Sequence, residues 1–185
     1  NSAQGGMVTG DNRRREGKES RSWEECLRIG HLLADEARRI VEKAPLQKSP
    51  DLFCDSRTVS FPVDSLELRA VIAASPLQLG PKDAAKVSTR LNLVNVGNAQ
   101  ILTIPGEALP NIGYYLKRNM RGQHNLLFGL TNDAFGYILT RVDWNSFKVY
   151  EYITRTCLGE RTGEIYIEEA LKFVADSPPP QKLSK

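Results

Sequence analysis

The stretch "QILTIPGEALPNIGYYL", residues 100–116, decides how the chain is organised. An apolar run over residues 101–104 leads into Pro105-Gly106 and then into Glu107, at what reads as the start of a helix. Two interpretations of this acid are open. An acid in the first turn of a helix is stabilised by the helix dipole, by about 0.3–1 kcal/mol. Alternatively, a carboxylate at the end of a core strand stands where binding sites commonly form, and serves as a ligand or a base.

Length and composition are those of an ordinary globular protein. The 185 residues suit one large domain or two small ones, and a hydrophobic content of 41% supports a sizeable core. The formal net charge of +3 does not favour nucleic-acid binding, because 25 basic residues are spread among 22 acids. No apolar run reaches the roughly 20 residues of a transmembrane segment. The start has neither a signal-peptide pattern nor an initiator Met, so it reads as internal sequence.

Cysteines and histidines do not form a metal site by themselves. Cys26, Cys54 and Cys157 are far apart and odd in number, so neither a zinc knuckle nor a disulfide framework is indicated, and we expect small buried residues. His31 and His124 are the two histidines, and they form no closely spaced pair. A catalytic zinc commonly has three protein ligands. The chain taken alone therefore contains no convincing metal site.

The periodicity of apolar residues predicts a mixture of helices and strands. A long amphipathic helix begins after Ser22 and ends before Pro45. Residues 57–73 alternate like strands, with Pro62 marking an edge strand or a bulge. Residues 177–185 read as a tail or linker. The remaining predicted elements are a short helix over 82–91, a hairpin turning at Gly97-Asn98, a helix from Glu107 to Met120, a buried strand over 125–132, an extended segment over 137–140 and a helix over 164–174.

These elements follow no strict βαβ alternation. The expected fold class is therefore α+β or α/β, with a layered mixed sheet and packed helices. Polar residues after the strand at 125–132 offer a second place for a site. Thr131, Asn132 and Asp133 form either a site wall or a plain turn, and Tyr137 either joins that site or fills the core.

Two longer segments make the sequence recognisable. "IPGEALPNIGYYLKR" (104–118) and "LLFGLTNDAFGYILT" (126–140) resemble the neutral, non-lysosomal ceramidase family, particularly its bacterial members. In that family a strand ending in Pro-Gly-Glu leads into a helix, and a second strand with Gly-Leu-x-Asn precedes a Tyr. "SAQGGMVTGDN" (2–12) is similar to the family's loop near the scissile bond. The resemblance implies that residues 1–176 are the C-terminal portion of a larger ceramidase-like catalytic domain.

The resemblance implies a zinc-dependent amidohydrolase that acts on the N-acyl bond of a ceramide-like lipid. The family holds its zinc with two histidines, a glutamate and a tyrosine. Glu107 and Tyr137 match the last two, and the histidines belong to an upstream, N-terminal half of the domain that this chain lacks. Thr9 stands where the family has a serine and would be catalytic. The residues implied to bind substrate are Gly5, Gly6 and Asn132.

Departures from the family pattern keep other interpretations open. Gly6 stands where the family has an aspartate, and the helix after Glu107 has lost the family's early arginines. A second interpretation is therefore a hydrolase of a different amide or of an ester. A third is a non-catalytic binding or structural module on the same scaffold, in which Glu107 is only an acid at the start of a helix.

Overall fold

A mixed β-sheet with helices packed on one face forms the centre of the fold. The computed structural model describes residues 2–6, 21–76, 85–146 and 148–182. None of the helices in these ranges combines the length and the apolar character needed to span a membrane. In chain order the elements are α1 (Trp23–Lys43), β1 (Leu52–Pro62), α2 (Leu66–Ala74), β2 (Lys86–Val96), β3 (Ala99–Thr103), β4 (Glu107–Ala108), α3 (Pro110–Asn119), β5 (His124–Phe128), β6 (Tyr137–Ile138), α4 (Tyr152–Arg155) and α5 (Thr162–Asp176).

The chain divides into two units, of which the smaller contains α1. One unit consists of Asn1–Gly6 with Ser49–Lys185, and the other of Met7–Lys48. In the smaller unit the Ser22 hydroxyl accepts a hydrogen bond from the Glu25 backbone N–H at 3.2 Å, which caps α1 as predicted. No residue of α1 is buried.

The larger unit is built on a four-stranded sheet in the order β1-β2-β3-β5. β1 and β2 are antiparallel from the pair Leu52–Val96 to the pair Pro62–Lys86. β2 and β3 are joined by the predicted hairpin at Gly97, whereas β3 and β5 run parallel. Pro62 ends the edge strand β1, as its missing N–H requires. The mixed sheet with packed helices confirms the expected α+β class.

The hydrophobic core lies between the sheet and the helices α3 and α5. Alternate residues of each strand point to this side, and α3 and α5 present their apolar faces to them. The principal members, all at most 2% exposed, are Phe61, Leu91, Leu93, Leu102 and Leu127 from the sheet, Ile112 and Leu116 from α3, and Tyr166 and Phe173 from α5.

A buried polar row crosses the same face at the hairpin end of the sheet. The fully buried Gln100 donates from Nε2 to Asn95 Oδ1 at 3.1 Å and accepts from the Arg121 backbone N–H at 2.9 Å. Asn95 in turn donates to the Pro178 carbonyl at 2.9 Å. These bonds satisfy groups that would otherwise be desolvated without a partner.

The segment after α5 runs along the hairpin up to residue 182. The Gln181 backbone N–H donates to the Gly97 carbonyl at 2.9 Å, and the Gln181 side chain accepts from the Asp51 N–H at 3.3 Å. Arg121 donates to the Ser177 carbonyl at 2.9 Å and thereby holds the C-terminal end of α5. Residues 177–182, predicted as a tail or linker, are thus hydrogen-bonded to the body of the fold.

Residues 66–74 form a helix, so the prediction of strands across 57–73 is wrong in its second half. The Ser65 hydroxyl accepts from the Leu68 N–H at 3.2 Å and caps α2. Leu68 and Ile72 then lie one helical turn apart and pack against the core.

The helix predicted over 82–91 is also wrong where the structure describes it. From Lys86 onward the chain is strand β2, in which Thr89 and Leu91 point inward with a period of two. Long pairing with β1 overrides the weak helical pattern.

Two predictions of burial are wrong. β5 is an edge strand in which only Leu127 is buried. Cys26 and Cys54 are exposed, whereas Cys157 is buried as expected.

Candidate metal centre

The turn that follows β3 is bonded to the chain that follows β5. Leu130 N–H donates to the Gly106 carbonyl at 3.2 Å, and Phe135 N–H donates to the Pro105 carbonyl at 2.9 Å. A Cβ on Gly106 would lie 2.6 Å from the Gly136 carbonyl oxygen, so the close approach requires glycine. These contacts fix the place at which both chain segments turn into β4 and β6.

Glu107 and Tyr137 are register partners in the parallel ladder of β4 and β6. The Glu107 N–H donates to the Gly136 carbonyl at 2.8 Å, and the Leu109 N–H donates to the Ile138 carbonyl at 3.3 Å. Residues that share a register position in neighbouring strands project from the same face of the sheet. The ladder therefore places the carboxylate beside the phenol.

The ladder also settles the conformation of Glu107. The helix predicted to start at Glu107 is α3, which starts at Pro110, and its first turn contains no acid. Glu107 is a half-buried strand residue. The interpretation as an acid stabilised by the helix dipole is therefore wrong, because Glu107 precedes the first helical turn.

Tyr137 is surrounded by an acid and a second tyrosine. Its pKa is raised above the usual value, chiefly by burial, then by hydrogen bonding with Tyr152 and by the charge of Glu107. The Tyr137 and Tyr152 rings meet edge to face with centroids 5.8 Å apart, and Tyr150 meets Tyr152 in the same way at 6.4 Å. Sequence reasoning did not connect Tyr152 with Tyr137, since residues 143–152 show no clear periodicity and the two rings meet only in the folded chain.

Gly5 brings the N-terminal segment against β4. Its N–H donates to the Ala108 carbonyl at 2.7 Å, and an added Cβ would lie 2.3 Å from the Glu107 carbonyl oxygen. Ser2 donates to the Leu127 carbonyl at 2.8 Å, so the segment spans from β5 to β4. Only glycine at position 5 allows the backbone to lie this close to Glu107.

Gly6 continues this segment with φ of +99°, a conformation that residues with side chains rarely adopt. An added Cβ would lie 3.8 Å from the Leu109 side chain, in ordinary contact. Thr9, the predicted catalytic hydroxyl, lies outside the described residues.

Asn132 is directed elsewhere. Its side-chain amide donates to the Arg90 carbonyl at 2.6 Å and accepts from Asn92 at 3.3 Å, and both partners belong to β2. It lines a shallow cavity of about 370 Å³, whose other walls are Thr58, Ser88, Thr89, Arg90 and Asp133. The structure thus brings Gly5, Gly6, Glu107 and Tyr137 together, and it bonds Asn132 to β2.

The donors at this point match part of a zinc site. A carboxylate oxygen is a common zinc ligand, and a phenol oxygen next to it supplies a second donor. His124 is the first residue of β5, and Phe128 is the last. The chain turns towards Tyr137 after Phe128, so His124 lies at the other end of the strand. Within the described ranges no group of three or more histidines, cysteines, aspartates or glutamates could hold a metal. Glu107 and Tyr137 are two neighbouring oxygen donors, and a zinc site would need further ligands.

Comparison with known proteins gives a match in structure alone. No protein-family model and no curated protein matches the sequence. The neutral ceramidase from Pseudomonas aeruginosa matches 82% of this chain at 14% sequence identity, with a TM-score of 0.52. The chain is folded like part of a neutral ceramidase. A second ceramidase structure, complexed with C2, matches 68% of the present chain at 15% identity, with a TM-score of 0.41. The match covers 22% of that ceramidase chain.

The ceramidase match confirms, at the level of fold, the resemblance carried by the Pro-Gly-Glu and Gly-Leu-x-Asn segments. It covers 33% of the Pseudomonas chain, so the present chain spans about a third of that ceramidase.

Proposed function

We propose that this chain contributes Glu107 and Tyr137 to the zinc site of a ceramidase-like amidohydrolase. The observation that supports the proposal is their shared register position in the β4–β6 ladder, directly beside the backbone of Gly5. Two remote segments, each held by a tight glycine turn, converge there on a carboxylate and a phenol. The remaining ligands, two histidines, come from sequence outside this chain.

The substrate is an N-acyl amide of the ceramide type, and the reaction is hydrolysis of its amide bond to a fatty acid and an amine. A zinc ion held here would lower the pKa of a water molecule to about 7 and would polarise the acyl carbonyl. The role of Glu107 is to hold the ion with its carboxylate. Tyr137 would present its phenol oxygen to the same ion, and the edge-to-face contact with Tyr152 orients the ring.

The N-terminal segment forms the wall of the site nearest Glu107. Gly5 packs its backbone directly against Glu107 and Ala108, and Gly6 adds no side chain to this wall. The Asn132 amide is hydrogen-bonded to the Arg90 carbonyl of β2 and lines the cavity beside that strand. Asn132 is therefore proposed to contact only a substrate group that enters this cavity. Thr9 is proposed to supply the hydroxyl that the family provides with a serine.

One observation favours a substrate other than ceramide within the same reaction class. The family's aspartate is replaced by Gly6, and the backbone there has φ of +99°, which disfavours any side chain. On the resemblance, the chain therefore lacks the acid of the loop near the scissile bond. An N-acyl amide with a smaller amine, or an ester, is the second candidate.

The test measures zinc and turnover together in the complete gene product. Glu107→Gln and Tyr137→Phe preserve shape and remove one ligand each. Mutating a residue that only hydrogen-bonds to a metal ligand already lowers metal affinity by about 10–100-fold. We therefore expect each of these ligand variants to lose at least that much zinc affinity. Matched controls are Glu168→Gln and Tyr114→Phe, which alter exposed side chains of α5 and α3 and should retain zinc.

The substrate class is read from a panel of N-acyl sphingosines, short N-acyl amines and esters assayed on the same preparations. Ceramide turnover that depends on Glu107 supports the first candidate, and turnover restricted to short amides or esters supports the second. Zinc content unchanged in both ligand variants, with no hydrolysis of any substrate, would leave only a binding or structural module.

A further inference from the structure

The ladder that pairs Glu107 with Tyr137 is short, because β4 and β6 have two residues each. Pairing over so few residues stabilises two strands only marginally. A slip of one residue would turn one of the two side chains to the opposite face. Contacts outside the ladder must therefore keep its register, and the glycine turns at Gly106 and Gly136 supply them at one end only.

The far end of the ladder is bridged by one carboxylate, that of Asp143. Its Oδ2 atom accepts a hydrogen bond from Asn111 Nδ2 at 2.8 Å and another from Thr140 Oγ1 at 2.7 Å. Asn111 lies four residues after Glu107, and Thr140 lies three residues after Tyr137. A single oxygen atom thus joins the segment that follows β4 to the segment that follows β6.

The loop around Asp143 fixes the direction of this carboxylate. The Asp143 N–H donates to the Thr140 carbonyl at 3.0 Å, so residues 140–143 form a turn that the Thr140 hydroxyl closes with its bond to Oδ2. The Asp143 carbonyl accepts from the Ser146 N–H at 3.1 Å and from the Ser146 hydroxyl at 2.7 Å. Bonds within the loop therefore hold the acceptor in place for Asn111.

The charge of Asp143 also suits the helix that follows β4. α3 begins at Pro110, with no side-chain cap from Leu109 and no acid in its first turn. Asn111, the second residue of α3, brings the Asp143 carboxylate to this end of the helix, where a negative charge is favourable. The bond therefore holds the start of α3, and with it the end of β4, against the loop after β6.

We propose that Asp143 is the positioning residue of the Glu107–Tyr137 pair. It keeps β4 and β6 in register, so that the carboxylate and the phenol stay side by side. Leu109 and Leu139 pack in one buried cluster at the same end, but apolar contacts are not directional, so the hydrogen bonds select the register. The expected effect on zinc rests on the proposed function, whereas the effect on the pairing does not.

The test measures the coupling between Glu107 and Tyr137 in the metal-free complete gene product. The double-mutant cycle of Glu107→Gln and Tyr137→Phe is run by urea unfolding in the wild-type background and again in Asp143→Ala. We expect Asp143→Ala to remove at least about half of the coupling, because the two side chains lose their fixed register. A residue with a merely structural role would lower the free energy of unfolding and leave the coupling unchanged.

Three further variants separate the bridge from a general loss of stability. Asp143→Asn keeps an oxygen that can accept both bonds, so it should restore the coupling. Asn111→Ala removes only the arm to α3, from an exposed residue, and should lower the coupling as Asp143→Ala does. Glu160→Ala is the matched control: it removes the exposed 3.3 Å ion pair with Arg141 of the same loop and should leave the coupling intact.

Zinc affinity gives a second readout on the same preparations. Asp143→Ala should bind zinc at least about tenfold more weakly than the wild type, while Asp143→Asn and Glu160→Ala should match the wild type. If Glu107→Gln leaves the zinc content unchanged, the proposed function fails, and the coupling measurement still decides the role of Asp143.

Equal coupling in the wild-type and Asp143→Ala backgrounds would overturn the proposal, and so would an additive cycle in the wild-type background. An equal loss of coupling in Glu160→Ala would also overturn it, because any weakening of the loop would then suffice. Where Asp143→Ala does not fold, Asn111→Ala decides: lowered coupling supports the bridge, and unchanged coupling rejects it.

Discussion

Glu107 and Tyr137 occupy the same register position of a two-residue parallel ladder, although one follows β3 and the other follows β5. Their contact depends on two interlocked turns, at Pro105-Gly106 and around Gly136. The pair is thus held by backbone geometry, and its side chains are available to interact with each other or with a ligand.

This pairing predicts a measurable coupling between the two side chains in the absence of metal. Glu107→Gln and Tyr137→Phe should each lower the free energy of unfolding. The loss in the double variant should be smaller than the sum of the two single losses by about 1 kcal/mol. The measurement is a double-mutant cycle by urea unfolding. Glu107→Gln with Tyr114→Phe is the control and should be additive, since Tyr114 is an exposed residue of α3. Additivity in the first cycle would contradict the contact.

Gly5 should tolerate no larger residue. In Gly5→Ala the new Cβ would lie 2.3 Å from the Glu107 carbonyl oxygen, so either the segment or β4 must move. Overpacking of this kind costs about 1–3 kcal/mol in the free energy of unfolding. The matched control is Gly30→Ala in α1, where the new Cβ would have no described atom within 4 Å apart from its own helix backbone and chain neighbours, and the helix should gain up to about 1 kcal/mol. Equal thermal midpoints for wild type and Gly5→Ala would refute the close approach.

Gln100 should be intolerant of an apolar substitution of similar size. Gln100→Leu would remove the partner of the buried Asn95 Oδ1 and of the half-buried Arg121 N–H. Each orphaned group costs about 1–3 kcal/mol, so we expect a loss of at least about 2 kcal/mol in chemical denaturation. Gln123→Leu removes a single side-chain bond, the one accepted from Asn98 Nδ2 at 2.7 Å, and should cost less. An unchanged free energy of unfolding in Gln100→Leu would show that water replaces both hydrogen bonds.

Tyr166 should make the fold sensitive to alkali. It is fully buried, its hydroxyl donates to the Thr103 carbonyl at 3.0 Å, and burial raises its pKa above the ordinary value of 10.0. The neutral form is favoured in the folded state, so its contribution is complete below pH 10 and is lost as pH rises above that value.

The corresponding variant, Tyr166→Phe, should lose about 1 kcal/mol at neutral pH because the Thr103 carbonyl loses its donor. Above pH 10 its stability should fall less steeply than that of the wild type, because the ionisable group is absent. Unfolding free energies measured across this pH range, with Tyr114→Phe as the exposed control, test both parts. Parallel pH profiles for wild type and Tyr166→Phe would contradict the assignment.

Sequence patterns predicted the elements whose signals are local. The cap at Ser22, the Gly97 hairpin and the apolar stripe of α5 each depend on neighbours in the chain, and each was found. The start of α3 was predicted at Glu107, which instead lies in the strand β4. A strand of two residues is too short to show a periodicity of two. The same limit applies to β6.

The remaining errors come from contacts between distant residues. Residues 66–74 alternate well enough to suggest a strand, and only the Ser65 cap signals the helix. The neighbourhood of Tyr137 includes Tyr152 and Gly5, which no spacing rule connects with it. The apolar run of β5 predicts a buried strand, but β5 lies at the edge of the sheet, where Leu126 and Phe128 are exposed.

The bonds made by residues 177–182 have a practical consequence for the boundaries of recombinant fragments. Ending the polypeptide at Asp176 would remove the acceptor of the Asn95 amide and the donor to the Gly97 carbonyl. Arg121 would also lose the Ser177 carbonyl. Fragment design by helix limits alone would thus cut into the buried polar row, and an expression boundary belongs after Lys182.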